Sequence, residues 1–549
     1  MQFLLCLLAL TAVGDEPFRA WVPASTDVAA LPATIGKRLS PSELASLATS
    51  KPTLPFAELT AGVRTPDGAT WVGSRNGLMV LPPGEARWRL FHSHRWLKND
   101  DVQDLAVTAQ GEVLVKTPAG ISRLVQRQMT LDEKMASINA LLQKHHVENG
   151  IVGSIHLKQP GTLEAGYEQH SNDNDGLWTS LYVAAEAFRH GVTRDPTART
   201  NARRSLEALM FLERITGIPG FAARSVVPIE EDAQKYRGEW HRSADNRWWW
   251  KGDTSSDEVD GHYFAYAIYY DVVANDEEKK EIRQYVARIT DHILDHDLHY
   301  VGPSGNPTTW GVWSPEALNH DLRRVGDRGL NSLEILSHLK VAEHIVGKPR
   351  YTEKIKELIE KHSYETNTVF RKLGWPLERE NHSDDELAFL AYYPLLIYER
   401  DPQLRRVYLT SIRRSWTAER PEHSPLFNFI YGAALQASTW TDYSKRPDAG
   451  LVDPKEYDRD ECIAWFRDVP QDTISWTVKN SERQDVQIAG KNRFGRPRAA
   501  AVLPVHERHL MRWNGDPYML DGGSEGHSKD DGTAILLPYW LGRYHRLID

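Results

Sequence analysis

The sequence predicts a mainly α protein: an (α/α)6 toroid of helical hairpins, preceded by a small β module of two propeller-like repeats. Three observations predict it. Beyond Leu131 the apolar period shifts toward 3.6, and helical segments follow one another in pairs. In each pair the first helix is apolar or aromatic on nearly all sides, and the second is amphipathic and charged. Before Leu131, short β patterns punctuated by Gly recur at a fixed spacing.

The elements follow in chain order. The start, "MQFLLCLLALTAVGDEPF", has an apolar run from Phe3 to Val13 and small residues before Asp15. It reads as a signal peptide over residues 1–14, cut after Gly14, although its first residues carry no Lys or Arg. The run is shorter than the ~20 apolar residues that span a bilayer. A secreted or periplasmic protein without a membrane span is therefore expected. Cys6 would leave with the signal and Cys462 would remain as the single thiol, a buried structural residue. Residues 15–55, rich in Pro, Ala, Ser and Thr, read as an extended arm. Residues 56–128 hold the two repeats. "PDGATWVGSRNGLMVL" (66–81) matches "AQGEVLVKTPAGISRL" (109–124), with Gly68 over Gly111, Val72 over Val115 and Gly77 over Gly120. Two copies are too few for a closed propeller, which takes at least ~4 blades.

Residues 129–549 are assigned to the toroid. "LDEKMASINALLQKHH" is its first helix. Four inner and outer pairs follow, whose inner members begin near Gly176, Asp257, Gly329 and Asp384. "SPLFNFIYGAALQAS" and the Leu131 helix complete six hairpins, and the irregular C-terminal stretch ends in one aromatic helix.

Acids cluster where the inner helices start. Asn172, Asp173, Asn174 and Asp175 precede Leu177; Asp253, Asp257 and Glu258 precede or open the second inner helix. Asn331 and Glu334 follow Arg328 in the third, and His382, Asp384, Asp385 and Glu386 open the fourth. The plainer reading is helix capping, since acids in a first turn oppose the helix dipole for ~0.3–1 kcal/mol each. Yet one cap needs one acceptor, and "NDND" and "SDDE" supply more. If the inner helices run parallel, these acids meet around one mouth, where crowding raises carboxyl pKa values as a general acid requires. Asp257, Glu258, Asp253, Asp384, Asp385 and Asp173 are the catalytic candidates. Flat aromatic faces suit apolar sugar faces, against the alternative that they fill the core. Trp249, Trp250, Tyr263 and Trp313 are accordingly the stacking candidates, with His262, Arg328, Asn331 and His382 as polar contacts. Trp248 and Trp310 add to the aromatic supply.

The hairpin series, the acid-rich inner starts and the signal pattern together resemble the six-hairpin glycosidase superfamily. "PDGATWVGSRNGL" resembles the blade repeat of two-component-regulator propellers. The first resemblance covers residues ~131–549 by architecture and carries over no individual residue. It implies a glycoside hydrolase that cleaves poly- or oligosaccharides with a carboxylate acid and base. A related possibility is a polysaccharide lyase acting on uronates, for which His262, Tyr263, Arg328, His320 and His382 are the available groups. A third is a non-catalytic glycan-binding or sensor module. The net charge of -9 argues against nucleic acid as a partner. No cofactor is expected. "SNDNDG" (171–176) resembles the start of a calcium loop, but position twelve falls on Val183 or Ala184 rather than Glu. His292 and His296 have a zinc-capable spacing without the Glu of H-E-x-x-H, on a helix expected to face solvent.

Overall fold

Both Gly-punctuated repeats fold as β hairpins. In the computed structural model, which describes residues 16–169, 173–371, 380–438, 452–510, 512 and 514–549, the N-terminal part contains nine strands and one helix. These are β1 (Phe18–Ala24), β2 (Lys37–Arg38), α1 (Pro41–Ala48), β3 (Leu59–Arg64), β4 (Thr70–Ser74), β5 (Gly77–Leu81), β6 (Arg89–Phe91), β7 (Asp104–Val107), β8 (Val113–Thr117) and β9 (Gly120–Met129). The signal segment, together with Asn172, lies outside the described residues. Hairpins β4–β5 and β8–β9 close in the same way. Ser74 Oγ donates to the carbonyl of Gly77 at 3.0 Å, and Thr117 Oγ1 donates to that of Gly120 at 2.9 Å. Gly77 adopts φ +131°, which a side chain would disfavour.

The two hairpins enter separate sheets, ordered β2-β3-β4-β5-β6 and β1-β9-β8-β7. One apolar cluster, including Val63, Trp71, Phe91, Val107 and Leu124, joins them. Residues 15–55 contribute β1, β2 and α1. Strand β1 pairs with β9 over its whole length, and Ser40 and Glu43 close a capping box on α1.

Thirteen more helices follow among the described residues: α2 (Leu131–His145), α3 (Asp175–Thr193), α4 (Pro196–Arg214), α5 (Ser256–Val272), α6 (Asp276–Asp295), α7 (Arg328–Ile345), α8 (Pro349–His362), α9 (Tyr364–Thr368), α10 (His382–Tyr398), α11 (Pro402–Glu419), α12 (Pro425–Ser438), α13 (Arg459–Asp468) and α14 (Thr533–Tyr544). Helix α3 packs on α5, α5 on α7, α7 on α10, α10 on α12, α12 on α14, and α14 on α3. Helices α4, α6, α8 and α11 pack against this circuit. Burial separates the two sets. Helix α5 is buried along nearly its whole length, whereas α8 is buried only at Tyr351, Ile355 and Leu358.

The expected class, a mainly α toroid behind a propeller-like module, is corrected. The chain is 45% helix and 19% strand, spread over many small sheets, with no closed barrel or propeller among the described residues. It is therefore mixed α and β. The physical reason lies in the connections. Segments that look like loops pair into sheets of two or three strands, such as Val226–Pro228, Trp248–Lys251 and Trp240–Arg242. Some partners are far apart in sequence, as with Ile155 and Lys529. Strands this short show no alternating pattern by which to recognise them.

The β part is fastened to the later chain by buried charge. Glu507 accepts from the Leu90 amide at 3.0 Å and pairs with Arg87 at 2.9 Å and Arg483 at 2.8 Å. Arg95 pairs with Asp472 at 2.7 Å. Cys462 is buried, and burial pushes its thiol pKa up. No helix among the described residues is long and apolar enough to cross a membrane.

Candidate active site

Helix capping makes a clear test of the acid-rich starts. The N-cap side chains Thr130, Asp195, Asn275 and Asp401 of α2, α4, α6 and α11 each accept from their own helix amides. Asn174, Ser255, Asp327 and Asn381, the N-caps of α3, α5, α7 and α10, make no such bond. Their polar groups are turned to other work.

Asn174 bridges two helix starts. Its amide donates to Asp257 Oδ2 at 3.0 Å, and its oxygen accepts from Ser255 Oγ at 3.0 Å and from Arg224 at 2.9 Å. Arg224 also donates to the Asp173 carbonyl at 2.6 Å, so one guanidinium fixes the approach to both α3 and α5. Behind Asp257 lies Glu258, fully buried, with Oε1 accepting from the Leu177 amide at 3.3 Å. Its Oε2 has no hydrogen-bond partner and stands 4.0 Å from His262 Nε2, which also has none.

The acids feel one another across segments. Burial raises the Asp257 carboxyl above the usual range. It raises Glu258 well above, and the charge on Asp175 adds to it. Glu334 on α7 is pushed up to about 8 by burial, with contributions from Asp257 and Asp384; the 2.9 Å hydrogen bond from Trp313 Nε1 opposes this. Asp384 on α10 rises to about 7 through burial and the adjacent Asp385, and its Oδ1 accepts from Asn381 at 2.5 Å. Asp260, one turn deeper on α5, is raised by burial and Glu334 and pairs with His338 at 3.2 Å. Helices α5, α7 and α10 thus bring carboxyls to one region. Burial holds His262 neutral down to about 4.

Other candidates serve the scaffold. Asp173 is ion-paired with Lys251, whose hydrogen bond lowers its pKa, the opposite of the shift a general acid needs. Asp253, at φ +46°, accepts from the Thr309 amide at 2.7 Å and from its hydroxyl at 3.0 Å, tying the strand Pro307–Val312 to the start of α5. Asn331 donates to the Val312 carbonyl and Arg328 to that of Leu318. Tyr263 is buried, stacked on His338 and hydrogen-bonded to Thr290. Trp313 is buried as the donor to Glu334. The three tryptophans lie on the middle strand of a small sheet. Trp250 faces the core and stacks on His241, Trp248 packs edge-on against Phe211, and half-buried Trp249 lies under the Arg242 guanidinium at 4.8 Å. Trp310 is half exposed. His292 and His296 bond backbone carbonyls, which accounts for their spacing without a metal.

At the start of α10, Asp385 accepts from Arg371 at 2.5 Å. Buried His382 faces Asp385 and Glu422. Sequence reading missed Arg224, Arg371 and Glu422. None of them lies in an acid-rich helix start, so no spacing pattern marks them. A cavity of 1030 Å³ lies elsewhere, between the β part and the segment from Trp476 to Glu482, lined by His92, His94, Arg95 and Lys98. It contains none of the crowded carboxyls, so cavity size does not select the site; carboxyl chemistry does. Compared with known proteins, the chain matches no family model and no curated protein.

Proposed function

We propose that the protein is an exported carbohydrate-active enzyme that hydrolyses glycosidic bonds with a pair of carboxyl groups. The observation that carries this reading is the convergence of Asp257, Glu334 and Asp384 from three helices: Asp257 and Asp384 both raise the pKa of Glu334, and Asp257 raises that of Asp384. Hydrolysis of a glycoside requires one carboxyl that is protonated near neutrality and a second that is ionised to activate water or attack carbon. Asp257 and Asp384, both half-buried, are the groups that face substrate. The charge on Asp257 adds to the raised pKa of Asp384. Glu334 and Glu258 lie deeper, and they hold Trp313 and the start of α3 in position. Trp249 and Trp310 remain as accessible aromatic surface on strands next to the start of α5.

A panel of neutral and uronate-containing polysaccharides tests the proposal. New reducing ends without an unsaturated, ultraviolet-absorbing product are the expected result. An unsaturated product would replace hydrolysis with β-elimination. Binding without cleavage across the panel would leave a glycan-binding module.

A further inference from the structure

His382 lies at a position that a hydrogen bond does not explain. Its side chain is more than nine-tenths buried, and its Nδ1 makes no hydrogen bond. Two carboxylate oxygens face that nitrogen: Glu422 Oε1 at 3.3 Å and Asp385 Oδ2 at 3.6 Å. A charge-assisted N–H···O bond would close to about 2.7–2.9 Å. One ligand atom from each of the three residues instead lies within 4.8 Å of the others. Ligands held ~2.0–2.1 Å from a tetrahedral zinc sit roughly 3.3–3.4 Å apart, which matches the 3.3 Å to Glu422 and is slightly exceeded by the 3.6 Å to Asp385.

The surroundings fit a cation. The opposite ring nitrogen, Nε2, faces Asp516 at 3.5 Å and Glu380 at 3.7 Å. A metal-bound imidazole commonly directs its second nitrogen at a carboxylate in this way. Three guanidiniums share the region: Arg371 with Asp385 and Glu419, Arg498 with Glu380 and Asp516, and Arg508 near Glu422.

We infer that His382 Nδ1, Asp385 and Glu422 form a binding site for a divalent transition-metal ion, zinc being the best match by ligand type and spacing. The site joins the first turn of α10 to the residues just before α12. A bound ion would lock these two starts together. It would also set a positive charge beside the acid cluster, independently of which reaction that cluster performs.

The test needs no substrate. The full chain is stripped with a chelator and titrated with zinc chloride. Bound metal is counted by elemental analysis, and melting is followed with and without zinc. One zinc per chain, a melting temperature raised by zinc, and loss of both in His382→Ala and in the shape-preserving Glu422→Gln are expected. Absence of zinc uptake by the unmodified protein would overturn the inference and leave His382 as an imidazolium among carboxylates. Uptake that survives both substitutions would overturn it equally. Should either variant fail to fold, anomalous scattering at the zinc edge from soaked crystals of the unmodified protein decides the matter by the position of the peak.

Discussion

Asn174 opens α3, yet its amide holds Asp257 on the neighbouring helix and makes no cap of its own. That single exchange separates a structural acid from a chemical one. Asp253, four residues before Asp257, has both oxygens committed to Thr309, and Asp173 is committed to Lys251. Asp257 has a raised pKa, and its side-chain donors, Asn174 and Ser255, are neutral. Replacing Asp257 with Asn should therefore cut turnover by about 100-fold or more, the usual contribution of a positioned acid or base. The melting temperature should change little, because Asn preserves the shape. Retained turnover, measured on whichever glycan the panel selects, would take Asp257 off the catalytic list. At this scale the sequence was readable only in part. It showed that acids crowd the helix starts, because Asp and Glu are visible as letters. It did not show which of them were already spent on a lysine or a loop, since those partners lie 56 to 78 residues away.

The helices themselves were legible, because an inner helix must be apolar on all sides and an outer one on a single stripe. The segments read at Gly176, Asp257, Gly329 and Asp384 are α3, α5, α7 and α10, displaced by at most two residues. Most of the sheets between them were not, because strands as short as Val226–Pro228 and Trp240–Arg242 carry no period. Close approach of α3 and α5 depends on two glycines. A methyl group on Gly176 would land on Glu258 Oε2, and one on Gly261 would meet the Leu177 backbone at 2.9 Å. Gly176→Ala should accordingly cost about 1–3 kcal/mol, the usual penalty for overpacking. It should also displace Glu258 from the Leu177 amide. Chemical denaturation gives the first quantity. An undiminished midpoint would show that α3 and α5 can move apart at no cost.

Across the whole molecule, buried charges set opposing pH limits. Glu334 has its folded pKa raised from 4.5 to about 8. Its contribution to stability is complete below 4.5 and is lost as pH rises toward 8, where the unfolded chain ionises it more readily. Glu507, fixing the β part to the later chain, is lowered to about 2, chiefly by Arg483 acting against burial. Its contribution is present above 4.5 and is lost as pH falls toward 2. His262 and His506, held neutral down to about 4, weaken the acid side from 6.5 downward. Glu334→Gln should flatten the decline of melting temperature between pH 4.5 and about 8, and Glu507→Gln should flatten the decline on the acid side. Melting curves across pH check both; parallel curves for mutant and parent would remove the residue in question from this account.

The contact of α14 with α3 bears on how the chain is made. Thr193 leaves the ribosome long before Thr533, so the flank of α3 that α14 covers has to wait uncovered while everything between them is synthesised. Non-local closures of this kind are slow and leave apolar surface open to aggregation. A nascent chain stalled before Thr533 would display that flank, which makes it a natural handle for chaperones and for the proteases that clear unfinished products.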